Sequence, residues 1–306
     1  MYYVAIDGGG TKTAFGLFDK EGDLLDKIEL STSHFLQVGY KGCAKCLSKG
    51  IQHLVDKYHI DSKEICIGIG IAGYGNEENV RKQLEMHIHE QINEYQYVLT
   101  NDMHIALIGA LDGKDGIVVV AGTGAIAMAQ KDKQVIRCGG WGYQLGDEGS
   151  AYWIGKQFLF HFCKQADGRE DKDELYDMVM GIYHMNNPYE IITVMNEFEN
   201  ERTEVAKLAK ICDELSQTNK TCQNILQEAG FHIACLVKGL QKHFDNIPLV
   251  TYYGSVFHSE YMKESFYHHV KDCQIIISQH DALYGAYLYA KQNYRYKTIK
   301  GTTSEK

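Results

Sequence analysis

Apolar and polar positions fall into two successive series of the same design along the chain. Each series opens with three short apolar runs separated by tight turns, and then alternates longer amphipathic stretches with further apolar runs. Short apolar runs bounded by glycine predict strands, and longer stretches with apolar residues every three or four positions predict helices. Their alternation predicts an α/β protein built from two related halves.

The first half is predicted to contain five strands and three helices. The strands are expected at 2–7, 14–19, 24–31, 64–75 and 95–100. The helices are expected at 40–58, 77–89 and 102–111, and Asn101 or Asp102 is suited to cap the last of them.

The second half is predicted to repeat the opening of the first, with three strands within 115–146. Helices are expected from residue 151 to about residue 244, with breaks at 167–171 and 186–189. A strand at 248–255, a helix at 256–270, a strand at 273–279 and a closing helix at 281–293 are expected to follow. We therefore expect an N-terminal domain over 1–112 and a C-terminal domain over 113–306 that carries the helical insertion, with the last helix packing back on the N-terminal domain.

Composition and charge exclude some classes of partner. The 306-residue chain is 44% hydrophobic and 23% charged, which is ordinary for a globular protein. Its formal net charge of -9 argues against a nucleic-acid partner, because phosphate backbones attract basic surfaces. No apolar run approaches the ~20 residues that span a bilayer. With no secretory leader pattern, we expect no membrane partner and a cytoplasmic protein with reduced cysteines.

Two glycine-rich turns, "DGGGTKT" (7–13) and "AGTGA" (121–125), each join two apolar runs at the head of a half. Glycine lets backbone N–H groups approach an anion, so a matched pair of such turns predicts binding of a phosphate chain from both sides. In the first turn, Asp7 suits a hydrated Mg²⁺, Thr11 offers a hydroxyl and Lys12 offers a positive charge. The alternative is a pair of ordinary β-hairpins.

Asp102 lies where a predicted buried strand gives way to a helix. Carboxylates at such junctions are often catalytic, and phosphoryl transfer to an alcohol needs a group that accepts the hydroxyl proton. Asp102 is therefore a candidate base, and a helix N-cap is the alternative. Farther along, "GGWGYQLGDEGSAYWIG" (139–155) offers the face of Trp141 to a sugar ring and the carboxylate of Asp147 to sugar hydroxyls. Its alternative is a buried tryptophan beside a capped helix.

Together these motifs resemble the N-acetylglucosamine kinase / BadF-BadG-BcrA-BcrD ATPase family, within the actin-like ATPase, sugar kinase and Hsp70 fold group. The resemblance covers nearly the whole chain. It extends to "YYGSVF" (252–257), which is similar to the nucleotide-side turn, and "DALYGAYLYA" (281–290), which is similar to the closing helix. It implies two RNase H-like domains that close over ATP and a sugar in an interdomain cleft.

The resemblance also implies a role for individual residues. Asp102 would deprotonate the acceptor hydroxyl, and Asp7 would favour Mg²⁺. The residues implied in ATP binding are Gly8, Gly9, Gly10, Thr11, Lys12, Thr123, Gly124, Gly254 and Ser255. The residues implied at the sugar are Asp102, Gly140, Trp141, Gly142 and Asp147, together with the positions of Ser33, Ala125 and Ile126.

Several positions depart from the family pattern. Ser33 stands where an asparagine would bind the sugar, and Ala125 and Ile126 replace two polar residues expected near the acyl-amino group. Residues 217–219 ("QTN") replace a glycine turn near the adenine. The phosphate motifs are kept, so these changes bear on which sugar is preferred.

The resulting hypothesis is an ATP- and Mg²⁺-dependent kinase for the 6-hydroxyl of N-acetylglucosamine, a small-molecule amino sugar. Glucosamine and N-acetylmuramic acid remain alternatives. A second class is the ATPase activator of a 2-hydroxyacyl-CoA dehydratase or benzoyl-CoA reductase, with an iron–sulfur cluster between two subunits. A third is a sugar sensor without catalysis. The sequence leaves open whether the chain forms a homodimer.

Overall fold

The computed structural model describes the backbone of residues 1–75 and 77–301 and the side chains of residues 1–75 and 77–294. Contacts divide the chain into two compact units. The first unit comprises Met1–Lys114 and the chain from Ile277 onward, and the second unit comprises Asp115–Ile276. The second unit is thus one continuous segment inserted into the first.

The first unit contains a five-stranded mixed sheet. Its strands are β1 (Tyr2–Gly8), β2 (Lys12–Phe18), β3 (Leu24–Ser31), β4 (Ile65–Ile71) and β5 (Gln96–Asn101). The order is β3-β2-β1-β4-β5, with β1, β2 and β3 antiparallel and β4 and β5 added in parallel. β4 is buried along its whole length, as a parallel strand covered on both faces should be.

The second unit repeats this arrangement. Its strands are β6 (Gly116–Ala121), β7 (Ala125–Lys131), β8 (Gln134–Gly139), β9 (Leu249–Tyr253) and β10 (Gln274–Ile275). The order is β8-β7-β6-β9-β10, again with three antiparallel strands followed by two parallel ones. The predicted α/β fold class with two related halves is confirmed.

Helices cover the sheets in both units. The first unit contains α1 (Phe35–Tyr58), α2 (Glu78–Ile92), α3 (Asp102–Ala110) and α10 (Ala282–Gly301). The second unit contains α4 (Ala151–Ala166), α5 (Glu174–Ile182), α6 (Ile191–Glu197), α7 (Glu201–Leu215), α8 (Lys220–Gln241) and α9 (Glu260–His269). The predicted breaks between α4 and α5 and before α6 are present, and two further breaks precede α7 and α8.

Some elements differ from the prediction. α1 begins before residue 40, but Gly39 interrupts it with φ +70° and ψ 167°, so the regular helix starts near the predicted residue. The helix predicted at 256–270 is a 3-10 turn (Ser255–His258) followed by α9, because the Ser259 hydroxyl accepts the Met262 N–H and starts a new helix. The strand predicted at 273–279 is reduced to the two residues of β10.

The hydrophobic core of the first unit includes α10, which comes from the far end of the chain. Tyr287 of α10 is fully buried, with its ring centroid 5.3 Å from that of Tyr3 and 5.0 Å from that of Phe18. Leu283 and Ala290 are buried in the same cluster. α10 therefore covers one face of the β1–β5 sheet, and α1 and α2 contribute to the core on β1, β2 and β4.

Candidate active site

The first glycine turn joins β1 to β2. The Gly9 N–H donates to the Lys12 carbonyl at 3.1 Å, which closes the turn. Side chains hold two turn carbonyls: Thr32 Oγ1 donates to the Gly9 carbonyl at 2.9 Å, and Gln37 Nε2 donates to the Gly10 carbonyl at 2.7 Å. Gly10 and Thr11 are exposed at the tip.

Gly8 is required by close packing beneath this turn. A Cβ atom there would lie 2.7 Å from Ser33 Oγ and 2.9 Å from the Gly70 carbonyl oxygen. Ser33 is fully buried, and its hydroxyl has no hydrogen-bond partner within the described part of the chain. The structure thus places Ser33 under the turn, out of contact with solvent.

Asp7 lies near the end of β1, with its carboxyl partly buried. Burial raises the pKa of this carboxyl, and the negative charges of Asp102 and Asp281 raise it further. Lys27 and Lys12 oppose the rise. The ammonium of Lys12 is itself paired with Glu29 at 2.6 Å on exposed surface, so the predicted phosphate-binding charge has a carboxylate partner in this structure.

Asp102 is the first residue of α3 and directly follows β5. Burial raises the pKa of its carboxyl, and a hydrogen bond from the Met103 N–H at 2.9 Å partly opposes the rise. Asn101 is the N-cap, because its side-chain oxygen accepts the N–H groups of Met103 at 2.8 Å and His104 at 3.3 Å. The Asp102 carboxyl is therefore not needed as the cap.

Asp281 is not among the site residues predicted from the sequence. It follows the apolar run within 273–279 and caps α10, since its carboxyl accepts the Tyr284 N–H at 2.9 Å. Its charge contributes to the raised pKa of Asp7, so three carboxylates influence this end of the first sheet. The sequence does contain a pattern that predicts this residue, because an acid after an apolar run and before a helix is also the pattern that makes Asp102 a candidate.

The second glycine turn joins β6 to β7 and is built differently. The Gly122 N–H donates to the Gly124 carbonyl at 2.9 Å. Backbone N–H groups at the start of α4 hold the turn, with Ala151 donating to the Gly122 carbonyl at 2.8 Å and Tyr152 to the Thr123 carbonyl at 3.4 Å. The Thr123 residue is exposed at the tip.

A cavity of about 420 Å³ in the second unit adjoins this turn. It is lined by the first turn of α4, by α7 and by the 3-10 turn after β9, and Ala151 belongs both to the cavity wall and to the hydrogen bonds of the glycine turn. Its wall is mixed: Ile154, Leu226 and Val256 are apolar, whereas Ser255, Lys207 and Lys210 are polar. The structure thus brings Ser255 next to the second glycine turn through one shared residue.

Gly254, the other residue predicted on the nucleotide side, precedes Ser255 with φ +113° and packs against the Ala121 carbonyl at the end of β6. Residues 217–219 serve a different purpose. The Asn219 side-chain oxygen accepts the Cys222 N–H at 2.9 Å as the N-cap of α8, and its amide donates to Glu174 at 3.1 Å. The "QTN" segment is thus a helix start.

The loop predicted to bind the sugar follows β8. Trp141 is 72% exposed, so the alternative of a buried tryptophan is wrong. Arg137 lies over its ring at 5.3 Å and donates to the carbonyls of Gly139 at 2.9 Å and Gly140 at 2.6 Å. Gly142 lies at an open position in the same loop, with φ +84°.

Ala125 and Ile126 begin β7 beside this loop. Ala125 is buried in the core of the second unit, and its carbonyl accepts the Gly140 N–H at 3.0 Å. The Ile126 side chain fills the space that a Cβ on Gly140 would occupy, 2.7 Å away. At the two positions where the family resemblance implies polar residues, the structure therefore has a buried alanine and a partly exposed isoleucine.

Asp147 is buried, at 4% exposure, and has φ +61°. Its Oδ2 accepts a hydrogen bond from Nη2 of Arg202 at 3.1 Å. Both groups lie against Gly124, where a Cβ would be 2.5 Å from Arg202 Nη2 and 2.6 Å from Asp147 Oδ2. The sequence analysis missed Arg202, which is 55 residues from Asp147 in the chain.

Two general features of the described residues complete the site. Within 1–75 and 77–294, no three His, Cys, Asp or Glu side chains are grouped so as to hold a metal ion by themselves. None of the helices in the described part of the chain combines the length and apolarity that crossing a bilayer requires.

Comparison with known proteins gives relatives over almost the full length. The chain is 26% identical over 307 aligned positions to the N-acetylmuramic acid/N-acetylglucosamine kinase of Clostridium acetobutylicum, covering 95% of this chain and 98% of the relative. It is 28% identical over 275 positions to the N-acetyl-D-glucosamine kinase of Dictyostelium discoideum, covering 83% and 85%. A candidate N-acetylglucosamine kinase structure from Chromobacterium violaceum shares the fold, with a TM-score of 0.67 at 22% identity over 94% and 98% of the two chains.

The family assignment rests on a wider match. Residues 4–290 match the BadF/BadG/BcrA/BcrD ATPase family, a range that includes both glycine turns, Asp102, the loop after β8 and the start of α10. The resemblance seen in the motifs is confirmed, and the chain belongs to the BadF/BadG/BcrA/BcrD ATPase family.

Proposed function

We propose that this protein is an ATP-dependent kinase that transfers the γ-phosphoryl group to a hydroxyl of an amino sugar, the 6-hydroxyl of N-acetylglucosamine or a close relative. One observation supports this most directly. Asp102 lies at a strand–helix junction with a partly buried carboxyl whose pKa is raised by that burial, and Asn101 is the N-cap of the helix. A partly buried carboxylate with a raised pKa that is not needed as the helix cap is typical of a catalytic group.

Asp102 acts as the base in this proposal. It orients the acceptor hydroxyl and accepts its proton as the oxygen attacks the γ-phosphorus and ADP leaves. Because burial raises the pKa of the carboxyl, the fraction that is ionised grows with pH above the ordinary aspartate range. Activity should therefore fall on the acid side at a higher pH than a solvent-exposed aspartate would give.

ATP is proposed to bind through both glycine turns. The tip of the first turn offers Gly9, Gly10, Thr11 and Lys12, over Gly8, and the second offers Thr123 and Gly124. The mixed wall of the cavity beside the second turn offers an adenosine the apolar side chains of Ile154, Leu226 and Val256, and it includes Ser255 next to Gly254. Lys12 would exchange Glu29 for a phosphate oxygen, an exchange that costs little because exposed ion pairs are weak.

The donor set of the first unit fits a hydrated Mg²⁺. Asp7 is a partly buried carboxylate whose pKa is raised by burial and by two neighbouring acids, and a divalent cation would offset that repulsion. Mg²⁺ commonly takes only one or two carboxylates and completes its shell with water and phosphate oxygens. Asp7 would hold the Mg²⁺ ion, and the bound ion would neutralise phosphate charge.

The residues proposed to contact the sugar are Asp102 and those of the loop after β8. The exposed face of Trp141 suits an apolar face of a sugar ring, and Asp147 suits its hydroxyl groups. Gly140 and Gly142 allow the backbone of the loop to approach the sugar closely. The wall of Ala125 and Ile126 is apolar, and Ser33 is buried. The absence of the polar groups that the family resemblance implies at these three positions is the proposed basis of the choice among N-acetylglucosamine and its close relatives.

The test is a panel of amino sugars in a coupled assay of ADP release with ATP and Mg²⁺. Asp102→Asn should lower kcat by roughly 10²–10⁴-fold, because the base is lost while the side chain keeps its size. ATP should still bind, as measured by thermal shift. Asp132→Asn is the matched control, since Asp132 lies at an exposed turn with φ +50° where asparagine is well tolerated. Unchanged turnover in Asp102→Asn would remove Asp102 from the mechanism.

A further inference from the structure

Arg202 occupies an unusual position in the second unit. It is the second residue of α7, in the helical insertion, yet its guanidinium reaches the loop after β8 and the second glycine turn. Nη2 donates to Asp147 at 3.1 Å, and the guanidinium carbon lies 5.6 Å from the centre of the Tyr143 ring. Arg202 is thus part of the wall that the proposed function assigns to the sugar.

The guanidinium of Arg202 makes few hydrogen bonds within the described residues. Its hydrogen bond goes from one nitrogen to one oxygen of Asp147, and the buried Nε has no hydrogen-bond partner among the described residues. The side chain as a whole is 40% exposed, so part of it is open to solvent although Nε is buried. A planar fork with five N–H donors is suited to a carboxylate or phosphate, and an unpaired buried donor in a native structure calls for a cause.

The neighbouring carboxylates do not complete the pairing. Asp147 is taken up with Nη2, and Glu201, the residue before Arg202, accepts the Tyr152 hydroxyl at 2.9 Å. Glu148, in the loop itself, is exposed. Arg202 therefore keeps donors for an incoming anion, in a chain whose net charge of -9 would otherwise repel one.

The residues that follow Gly124, against which Arg202 lies, point to where the anion comes from. Ala125 is buried, whereas Ile126 is partly exposed and packs on Gly140, so Ile126 is the apolar side chain that the start of β7 offers instead of a polar one. A ligand substituent that lies along this side chain and ends in a carboxylate would bury its carbon atoms on Ile126 and place its charge at Arg202. A neutral substituent would leave the free donors unpaired.

We propose that Arg202 is a specificity-determining residue that selects amino sugars bearing a carboxylate substituent. This inference rests on the proposed kinase function. Arg202 also positions Asp147, so its loss affects all sugars to some extent, but the carboxylate contact is lost for the acidic sugar alone. A phosphate of ATP is the other anion that could reach the same group, and the experiment separates the two.

The experiment measures kcat/KM for N-acetylmuramic acid, which carries a carboxylate on an ether arm, and for neutral N-acetylglucosamine. Arg202→Gln should reduce kcat/KM for the acidic sugar about tenfold more than for the neutral one, with KM for ATP unchanged. Arg202→Lys should recover part of the loss, because it keeps the charge but not the planar fork. Arg169→Gln, an exposed arginine paired with Asp167, is the control and should leave both values as they are.

Three results would overturn the proposal. An equal loss for the two sugars would show that Arg202 only positions Asp147. A rise in KM for ATP with both sugars would assign Arg202 to phosphate. The third result applies if the wild-type protein phosphorylates no sugar, in which case the kinase proposal fails by itself. The Arg202 proposal is then tested by thermal shift with N-acetylmuramic acid. Equal shifts in wild-type protein and Arg202→Gln would overturn it, and a shift lost only in the variant would support it.

Discussion

The two glycine turns occupy equivalent places in two sheets of the same order, yet the charged groups around them differ. The first turn, at residues 8–11, has its carbonyls held by the side chains of Thr32 and Gln37 and lies next to Asp7, whose pKa is raised. The second, at residues 122–124, is held by backbone N–H groups of α4 and lies against the Asp147–Arg202 ion pair.

Under the proposed function, this difference assigns two chemical tasks to one topology. The turn in the first unit is close to acids that burial makes costly to ionise, which suits a site that accepts a proton and attracts a cation. The turn in the second unit has an acid whose charge an arginine balances, and the arginine keeps donors for an anion. The sheet fixes where the turns lie, and residues from separate helices determine their chemistry.

The largest expected effect is a loss of stability when alanine replaces a glycine in the first turn, where the neighbouring atoms are backbone and cannot move easily. Gly8→Ala places a Cβ 2.9 Å from the backbone carbonyl of Gly70, which cannot move without disturbing β4. We expect it to reduce the free energy of unfolding by about 2–3 kcal/mol. Gly124→Ala meets only the ends of the Arg202 and Asp147 side chains, so we expect about 1 kcal/mol. Chemical denaturation measures both.

Gly181→Ala serves as the control for these two variants, because it lies in α5 with no atom within 4 Å of the added Cβ. It should be neutral or slightly stabilising, since alanine favours the helix. A Gly124→Ala variant that lost more stability than Gly8→Ala would contradict the rigid packing described under the first turn.

The second prediction is that removing the charge of Asp147 and removing the charge of Asp7 change stability in opposite directions. Asp147→Asn removes the charge that Arg202 pairs with, and should lower stability at pH 7 by about 1–2 kcal/mol. Asp7→Asn should raise the melting temperature at pH 7. Because the folded-state pKa of Asp7 is raised above its unfolded value, the folded protein binds more protons, and stability is lost as the pH rises from the unfolded pKa of 3.8 through the folded one.

Asparagine at position 7 removes that loss of stability. The gain in stability should therefore shrink toward pH 3 and be absent where the Asp7 carboxyl of the wild-type protein is protonated in both the folded and the unfolded state. Thermal melts of wild-type protein and the two variants between pH 3 and pH 8 would test this pattern. If Asp7→Asn were destabilising at pH 7, the carboxyl would have a favourable partner that this structure does not contain.

The smallest effect refines the role of Asp281. Its negative charge raises the pKa of Asp7, so Asp281→Asn should shift the Asp7 titration to lower pH, by less than about one pH unit for a single partly screened charge. The shift can be followed by carbon-13 NMR of labelled carboxylates. Glu90→Gln, on the exposed face of α2, is the control; an equal shift in that variant would mean that Asp281 has no specific influence.

Local pattern was sufficient for the parts of the fold and site that depend on neighbours in sequence. β1, β2, β6 and β7 follow from apolar runs that flank glycine turns, and Asp102 follows from the junction between a strand and a helix. The assignment of chemical roles to these residues stays a prediction that the proposed experiments test.

Other features depend on contacts that no short stretch encodes. The run "IIIS" (275–278) has the composition of a strand, but after Ile276 donates to the Val250 carbonyl the chain leaves the sheet, and Ile277 is 87% exposed. Arg202 meets Asp147 only because α7 folds back over the loop after β8. Trp141 is 72% exposed although a large aromatic side chain suits a core, and its ring contacts Arg137 at the surface.

The position of α10 determines when the first unit can finish folding. Residues 282–290 emerge from the ribosome after the whole inserted segment, yet Tyr287 fills the space beside Tyr3 and Phe18. Until then, one face of the first sheet is exposed on the nascent chain, whereas the inserted segment already has all its strands. Synthesis order therefore favours completion of the unit with the second glycine turn before the unit that begins the chain, and the growing polypeptide carries a temporary apolar face for a partner such as a chaperone to shield.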